Sequence, residues 1–120
     1  MNKPKLVSIV IPCYNDKEYI EESVNSALNQ SYQHFEIIIV DDGSDEKTKK
    51  VLSNLHHQKI KLITQVNKGL SAARNVGIAH ASGDFILTLD ADDFLENSFF
   101  LKSPGFFPCP REHRFLFRQQ

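Results

Sequence analysis

The segment Asp90-Ala91-Asp92-Asp93 carries three carboxylates in four residues, directly after an apolar run. Carboxylates this close repel unless a cation or water lies between them, and hard divalent cations want several oxygen ligands. We read the segment as a metal-holding loop, against the plainer alternative of an acidic helix start after a strand. A second acidic pair, Asp41-Asp42, precedes Gly43-Ser44. Asp-Gly is a turn dipeptide, and Ser44 or Asp45 can cap a following helix. A carboxylate after a strand can equally accept hydrogen bonds from a base or ribose, and the residues leave both readings standing. On the second reading Asp42 faces a ligand, so its removal weakens binding with little effect on stability.

Two further stretches carry groups of the same kind. Tyr14 follows Pro12 and Cys13. A tyrosine there can stack on a planar base with its hydroxyl in water, or simply cover the rim of a sheet. Asn67, Gly69, Arg74 and Asn75 surround an expected helix start. A helix N-terminus with a permissive glycine and a nearby guanidinium suits a diphosphate, although a solvated helix face would use the same residues. The histidines show no ligand spacing. Cys13 and Cys109 form no metal or disulfide pattern, and Cys13 reads as a buried small hydrophobe.

The elements that must position these groups alternate. Leu6 to Ile11 is a β-rich run stopped by Pro12. Asn15 and Asp16 offer cap oxygens for a first helix, where Ile20, Val24, Ala27 and Leu28 form one apolar stripe. Phe35 to Val40 is nearly all apolar, as suits a parallel strand covered on both faces. A second helix is expected from Thr48 to Leu55, a third strand from Ile60 to Thr64, and a third helix from Leu70 to Ala81 ended by Gly83. Phe85 to Leu89 is the fourth strand. This β-α-β-α-β-α-β order predicts an α/β fold with a parallel sheet, in which ligands bind outside the carboxyl ends of the strands. Every unusual polar cluster before residue 100 falls on that edge.

With 120 residues the chain is one domain at most, and 41% apolar and 24% charged residues are ordinary for a globular protein. A net charge of −1 gives no basic footprint, which argues against nucleic acid as a partner. The first apolar run is too short for a signal sequence or membrane span, and cysteine usage favours a reducing compartment. A cytoplasmic location follows, with association at the inner face of the membrane left open. From about Ser103 the chain is proline-rich and loses all periodicity.

Taken together, Val7 to Asn15, Val40-Asp41-Asp42-Gly43-Ser44, Asn67-Lys68-Gly69, Ala73-Arg74-Asn75 with Gly77, and Leu89 to Asp93 resemble family 2 glycosyltransferases of the GT-A (Rossmann-like) fold, over about residues 5 to 100. The resemblance implies a nucleoside diphosphate-sugar donor, often linked to uridine. It also implies Mn²⁺ or Mg²⁺ bridging the diphosphate to the D-x-D carboxylates. Transfer would proceed with inversion to a saccharide or lipid-linked acceptor, as in polysaccharide biosynthesis. Carried over residue by residue, Pro12, Tyr14, Asn15, Asp42, Asn67, Gly69, Arg74 and Asp90 fall on the donor side. Asp42 would meet the base, Tyr14 would stack near it, and Arg74 would lie on the nucleotide side. Asp92 and Asp93 would hold the metal.

In the family the catalytic base is an Asp or Glu well beyond the D-x-D loop, in a half that also binds acceptor. Nothing after Asp93 resembles that continuation. The base is therefore expected beyond the C-terminus, with residues 1–102 as a GT-A donor-binding domain truncated after the D-x-D loop and 103–120 as an irregular tail. On this expectation the chain binds donor without transferring sugar. The alternative is a non-catalytic nucleotide-sugar-binding remnant or subunit. An unrelated dinucleotide fold is disfavoured, because Tyr14-Asn15-Asp16-Lys17 stands where a G-x-G-x-x-G turn would open the first helix.

Overall fold

The computed structural model of the chain describes residues 5–93, 95–96 and 115–117. The elements are β1 (Val7–Cys13), α1 (Ile20–Leu28), β2 (Phe35–Asp42), α2 (Glu46–Ser53), β3 (Ile60–Gln65), α3 (Leu70–Ala79), β4 (Phe85–Thr88) and β5 (Phe115–Phe117). All pairings are parallel and the sheet order is β3-β2-β1-β4-β5. Strand order reverses at β1, so the crevice of an open α/β sheet opens between β1 and β4 at their carboxyl ends. Among the described residues no helix is long and apolar enough to cross a membrane.

Alternation along the strands divides the core in two. Val7, Ile9, Ile11 and Cys13 of β1, with Phe35, Ile37 and Ile39 of β2, pack against Ile20, Val24 and Ala27 of α1 and Leu52 of α2. Val10, Ile38, Val40 and Ile86 face the other way, toward Ala73 of α3. Burying each such aliphatic side chain contributes about 1.5–3 kcal/mol. The near-continuous apolar runs of β1 and β2 are explained by this covering on both sides. Gly77 lets α3 approach closely, because a Cβ there would stand 2.3 Å from Val10 Cγ1.

Several boundaries differ from the sequence reading, each for a physical reason. Pro12 does not stop β1; it sits inside the strand, opposite Val40. Leu89 N donates to Val10 O, so the even residues of β1 turn their polar groups toward β4. The β1–β4 ladder ends at Val10 and Thr88, so the donor that Pro12 lacks would have pointed where, among the described residues, no strand continues. Helix α2 starts two residues early because Asp45 caps it, accepting from Thr48 N at 2.9 Å. Helix α3 ends at a His80 cap, not at Gly83, which lies under Ser8 with Gly83 N donating to Ser8 Oγ at 2.8 Å. Neither Asn15 nor Asp16 caps α1 with its side chain; the Asp16 carbonyl accepts from Tyr19 N and Ile20 N instead. Within the segment expected to be an irregular tail, Phe115–Phe117 pairs with β4 as β5. Phe-Leu-Phe is a β-favouring triplet, and among the described residues no other strand pairs with that edge of β4. The remainder of that segment, Cys109 included, lies outside the described residues.

Candidate functional site

The loops after β1, β2, β3 and β4 lie at one edge of the sheet, and hydrogen bonds tie the first to the second and the second to the third. Asn15, at the end of β1, holds a left-handed backbone with φ 56°. An asparagine tolerates this conformation better than most residues. In that pose its N–H donates to Ser44 Oγ at 3.0 Å and its Oδ1 accepts from Asp45 N at 2.8 Å. The first and second loops are thereby fixed to each other. Gly43, with φ 72°, lets the second loop touch the third, since a Cβ there would lie 2.7 Å from Asn67 N.

Asp42 joins the second loop to the third, and here the structure corrects the expectation of an exposed, ligand-facing carboxylate. The residue is only 1% exposed. Its Oδ1 accepts from Gln65 Nε2 at 2.9 Å and Lys68 N at 2.8 Å. Its Oδ2 accepts from Asn67 Nδ2 at 3.2 Å and Gly69 N at 2.9 Å. Four donors match the acceptor capacity of a carboxylate. Burial pushes its acidity toward the neutral form, but the hydrogen bonds from Gln65, Lys68 and Gly69 outweigh it and hold the carboxyl below the usual range. Asp42 therefore sets the Asn67-Lys68-Gly69 loop, and with it the start of α3, where the first amides have no acceptor within the helix.

Its neighbour Asp41 points to the other face, paired with Lys49 Nζ at 2.7 Å and accepting from Ser44 N at 2.9 Å. Burial raises its carboxyl, yet these partners bring it below the usual range. Cys13 is buried, as its apolar context predicted, and burial pushes its thiol up to about 11. A buried thiol raised this far stays protonated at neutral pH and packs as a core group.

The fourth loop is different in kind. Asp92 is exposed and Asp93 half-buried, with Asp93 N turning back to Asp90 O at 2.9 Å. Arg74 of α3 reaches across to Asp90, Nη2 to Oδ1 at 3.5 Å. Tyr14 is 42% exposed, free to present a ring face at the rim, while Pro12 is buried within β1. Asp16 belongs to the site too, although the sequence suggested only a cap. It accepts from Tyr14 N at 3.0 Å. Burial raises its carboxyl above the usual range, the Tyr14 bond opposes this, and the charges of Asp92 and Asp90 push it further up. The first and fourth loops thus share one negative field. Ser23 and Ser26 of α1, also missed, bond the backbone of the fourth loop. The side chains of Asp90, Asp92 and Asp93 offer oxygen donors only, the kind that hard cations prefer. Among the described residues no three acidic, histidine or cysteine side chains converge as a complete metal cage. One or two carboxylates suffice where substrate phosphates supply the remaining oxygens, so the donor set fits Mg²⁺ or Mn²⁺ bound together with a diphosphate.

A match to the model of Glycosyl transferase family 2 runs over residues 8–103 and takes in all four loops. The chain belongs to glycosyltransferase family 2. This family 2 chain is 45% identical over 100 residues to an uncharacterized glycosyltransferase of Haemophilus influenzae, which covers 81% of this chain and 40% of the relative. It is 42% identical over 98 residues to a chondroitin synthase of Escherichia coli, covering 80% of this chain and 14% of that one. In three dimensions it matches S. aureus TarS in complex with UDP with a TM-score of 0.73 and 29% identity, covering 79% of this chain and 30% of TarS. The parallel sheet with alternating helices is thus the GT-A, Rossmann-like arrangement. The chain spans less than half the length of the relatives it matches.

Proposed function

We propose that residues 7–96 form the donor side of a sugar transferase that takes a nucleoside diphosphate-sugar, UDP-linked, in the crevice at the carboxyl ends of β1 and β4. The observation that carries this reading is the gathering of four loops at one edge, three of them joined by hydrogen bonds and facing an exposed acidic one across Arg74. The similarity to S. aureus TarS in complex with UDP supports uridine as the base. The name chondroitin synthase supports polysaccharide assembly as the setting.

Each residue has a part in this proposal. Tyr14 stacks on the base from its exposed position. Asp42 keeps the Asn67-Lys68-Gly69 loop in place, so that the first amides of α3 and the Arg74 guanidinium receive the diphosphate without reorganising. Asp92 and Asp93, with Asp90, hold Mg²⁺ or Mn²⁺. When bound, the cation neutralises negative charge developing on the departing diphosphate. The acceptor hydroxyl then attacks the anomeric carbon from the opposite face, with inversion, and loses its proton to a base that we place outside residues 7–96. Asp41 and Asp42 are excluded as that base, because both are buried and their oxygens are already hydrogen-bonded.

Thermal unfolding with UDP and Mn²⁺ tests the reading. A ligand specific to the native state adds about 2.7 kcal/mol at a hundredfold excess over its dissociation constant. UDP with Mn²⁺ should raise the melting temperature, chelator should remove most of the gain, and Asp92→Ala should abolish the metal-dependent part. An equal shift with and without metal would overturn the shared metal and nucleotide site.

A further inference from the structure

One face of α1 carries polar side chains that its apolar stripe does not explain. Ser23 and Ser26 stand three residues apart on the helix, and Gln30 continues that line just past its end. Ser23 and Gln30 are buried as deeply as the core. All three side chains reach the same stretch of backbone. Ser23 Oγ donates to Asp90 O at 3.4 Å, Ser26 Oγ accepts from Leu95 N at 2.8 Å, and Gln30 Nε2 donates to Glu96 O. Ser26 is the best-defined contact. Its hydroxyl proton is committed to Ser23 O at 2.7 Å, which turns a lone pair toward the Leu95 amide. These contacts bracket Asp92 and Asp93, one before them and two after. Among the described residues the only side chain paired with Asp90, Asp92 or Asp93 is Arg74, which meets Asp90 through a 3.5 Å contact that is half-exposed. The side chains of Asp92 and Asp93 are therefore not held by partners among the described residues. What locates them is the backbone, and the backbone is held from α1.

We propose that Ser23, Ser26 and Gln30 are positioning residues that fix the D-x-D loop, so that α1 sets the geometry in which cation and diphosphate are received. The inference rests on the donor-site reading above. Groups that orient metal ligands without touching the metal matter for a physical reason: a carboxylate free to swing must be ordered on binding, and that ordering opposes affinity. A clamp on the backbone removes most of this cost before the ligand arrives.

The test compares the 120-residue chain with its Ser26→Ala and Ser26→Thr variants. Calorimetry measures UDP affinity with and without Mn²⁺, and hydrogen exchange follows the Leu95 amide in the unliganded protein. Ser26→Ala should reduce the Mn²⁺-dependent gain in UDP affinity about tenfold, the scale of other outer contacts around metals. It should leave metal-free UDP affinity unchanged and speed exchange at Leu95. Ser26→Thr keeps the oxygen and should restore both. A role confined to folding would lower the two affinities together, and that result overturns the proposal, as does an unchanged gain in Ser26→Ala. A wild-type chain without any Mn²⁺-dependent gain would instead overturn the donor-site reading, and the clamp's purpose with it.

Discussion

Asp41-Asp42 and Asp90-Ala91-Asp92-Asp93 look alike as sequence: both are acidic, both end a strand, and both lie on the same edge of the sheet. Physically they are opposites. The first pair is buried and supplied with donors from Lys49, Ser44, Gln65, Asn67, Lys68 and Gly69. The second is open to water, with one cation at 3.5 Å and repulsion felt as far as Asp16. A carboxylate whose acceptor sites are filled by the protein builds the site. One whose oxygens remain available, on a backbone fixed from elsewhere, is the kind that can take a cation. The difference between holding a loop and holding a ligand is thus decided by the supply of nearby N–H groups rather than by the presence of the acid.

Acid should expose the difference most strongly, because it acts on every buried carboxylate at once. The folded-state acidities of Asp41 and Asp42 lie below their unfolded values, and Asp45, the α2 cap, is shifted the same way by its bonds to Thr48. The unfolded chain therefore binds more protons in that window, and stability rises with pH across it. Their contribution is fully present above about pH 4, the unfolded value, and is lost as pH falls through the folded values. Urea midpoints taken from pH 6 down to pH 3 should be level at first and then drop. Asp42→Asn, which cannot titrate, should make the acid limb shallower, and an unchanged limb would mean that Asp42 is not held as its four contacts imply.

Truncation separates the loops next. Asp42→Ala strands the Lys68 and Gly69 amides and should cost about 2 kcal/mol, the lower end for charged hydrogen bonds because the loop lies at the rim. Asp92→Ala removes nothing that the fold uses and should stay within about 0.5 kcal/mol. Chemical denaturation of the two variants decides this. Similar losses would erase the contrast between structural and available carboxylates.

Much of this arrangement is legible in the sequence, and what is not has a common cause. The order of strands and helices follows from period and apolar runs, and the gathering of polar loops on one edge follows from parallel connectivity. Cys13 is legible as core because its surroundings in the chain are apolar. The burial of Asp42 is not legible because its donors lie more than twenty residues onward, and local sequence registers the turn but not the partners. Ser23, Ser26 and Gln30 were missed for the same reason. On a helix a serine ordinarily signals solvent, and only the folded position of Leu95 and Glu96 shows what these side chains bond. Pro12 misled because its missing donor matters only if a neighbouring strand is there to accept. The triplet at Phe115–Phe117 is a strand only because β4 leaves it an edge to pair with.

The smallest expected effect concerns the two ion pairs. Lys49 and Asp41 meet at 2.7 Å with the acid buried, whereas Arg74 and Asp90 meet at 3.5 Å with Asp90 half in water. Removing a cation from a buried acid leaves a charge without compensation. Lys49 is itself about one-third exposed, however, so solvent screens part of the loss, and Lys49→Met should cost about 1 kcal/mol. The exposed pair gains little in high dielectric and pairs two mobile side chains, so Arg74→Met should change stability by less than about 0.5 kcal/mol. That residual should vanish in 0.5 M salt, taken here as about the level at which screening lengths fall to a few ångströms. If both variants lost the same amount, or if Arg74→Met lost more, then the acidic loop after β4 would be anchored through its side chains after all. The exposed loop would then be as structural as the buried one, and the comparison between them would fail.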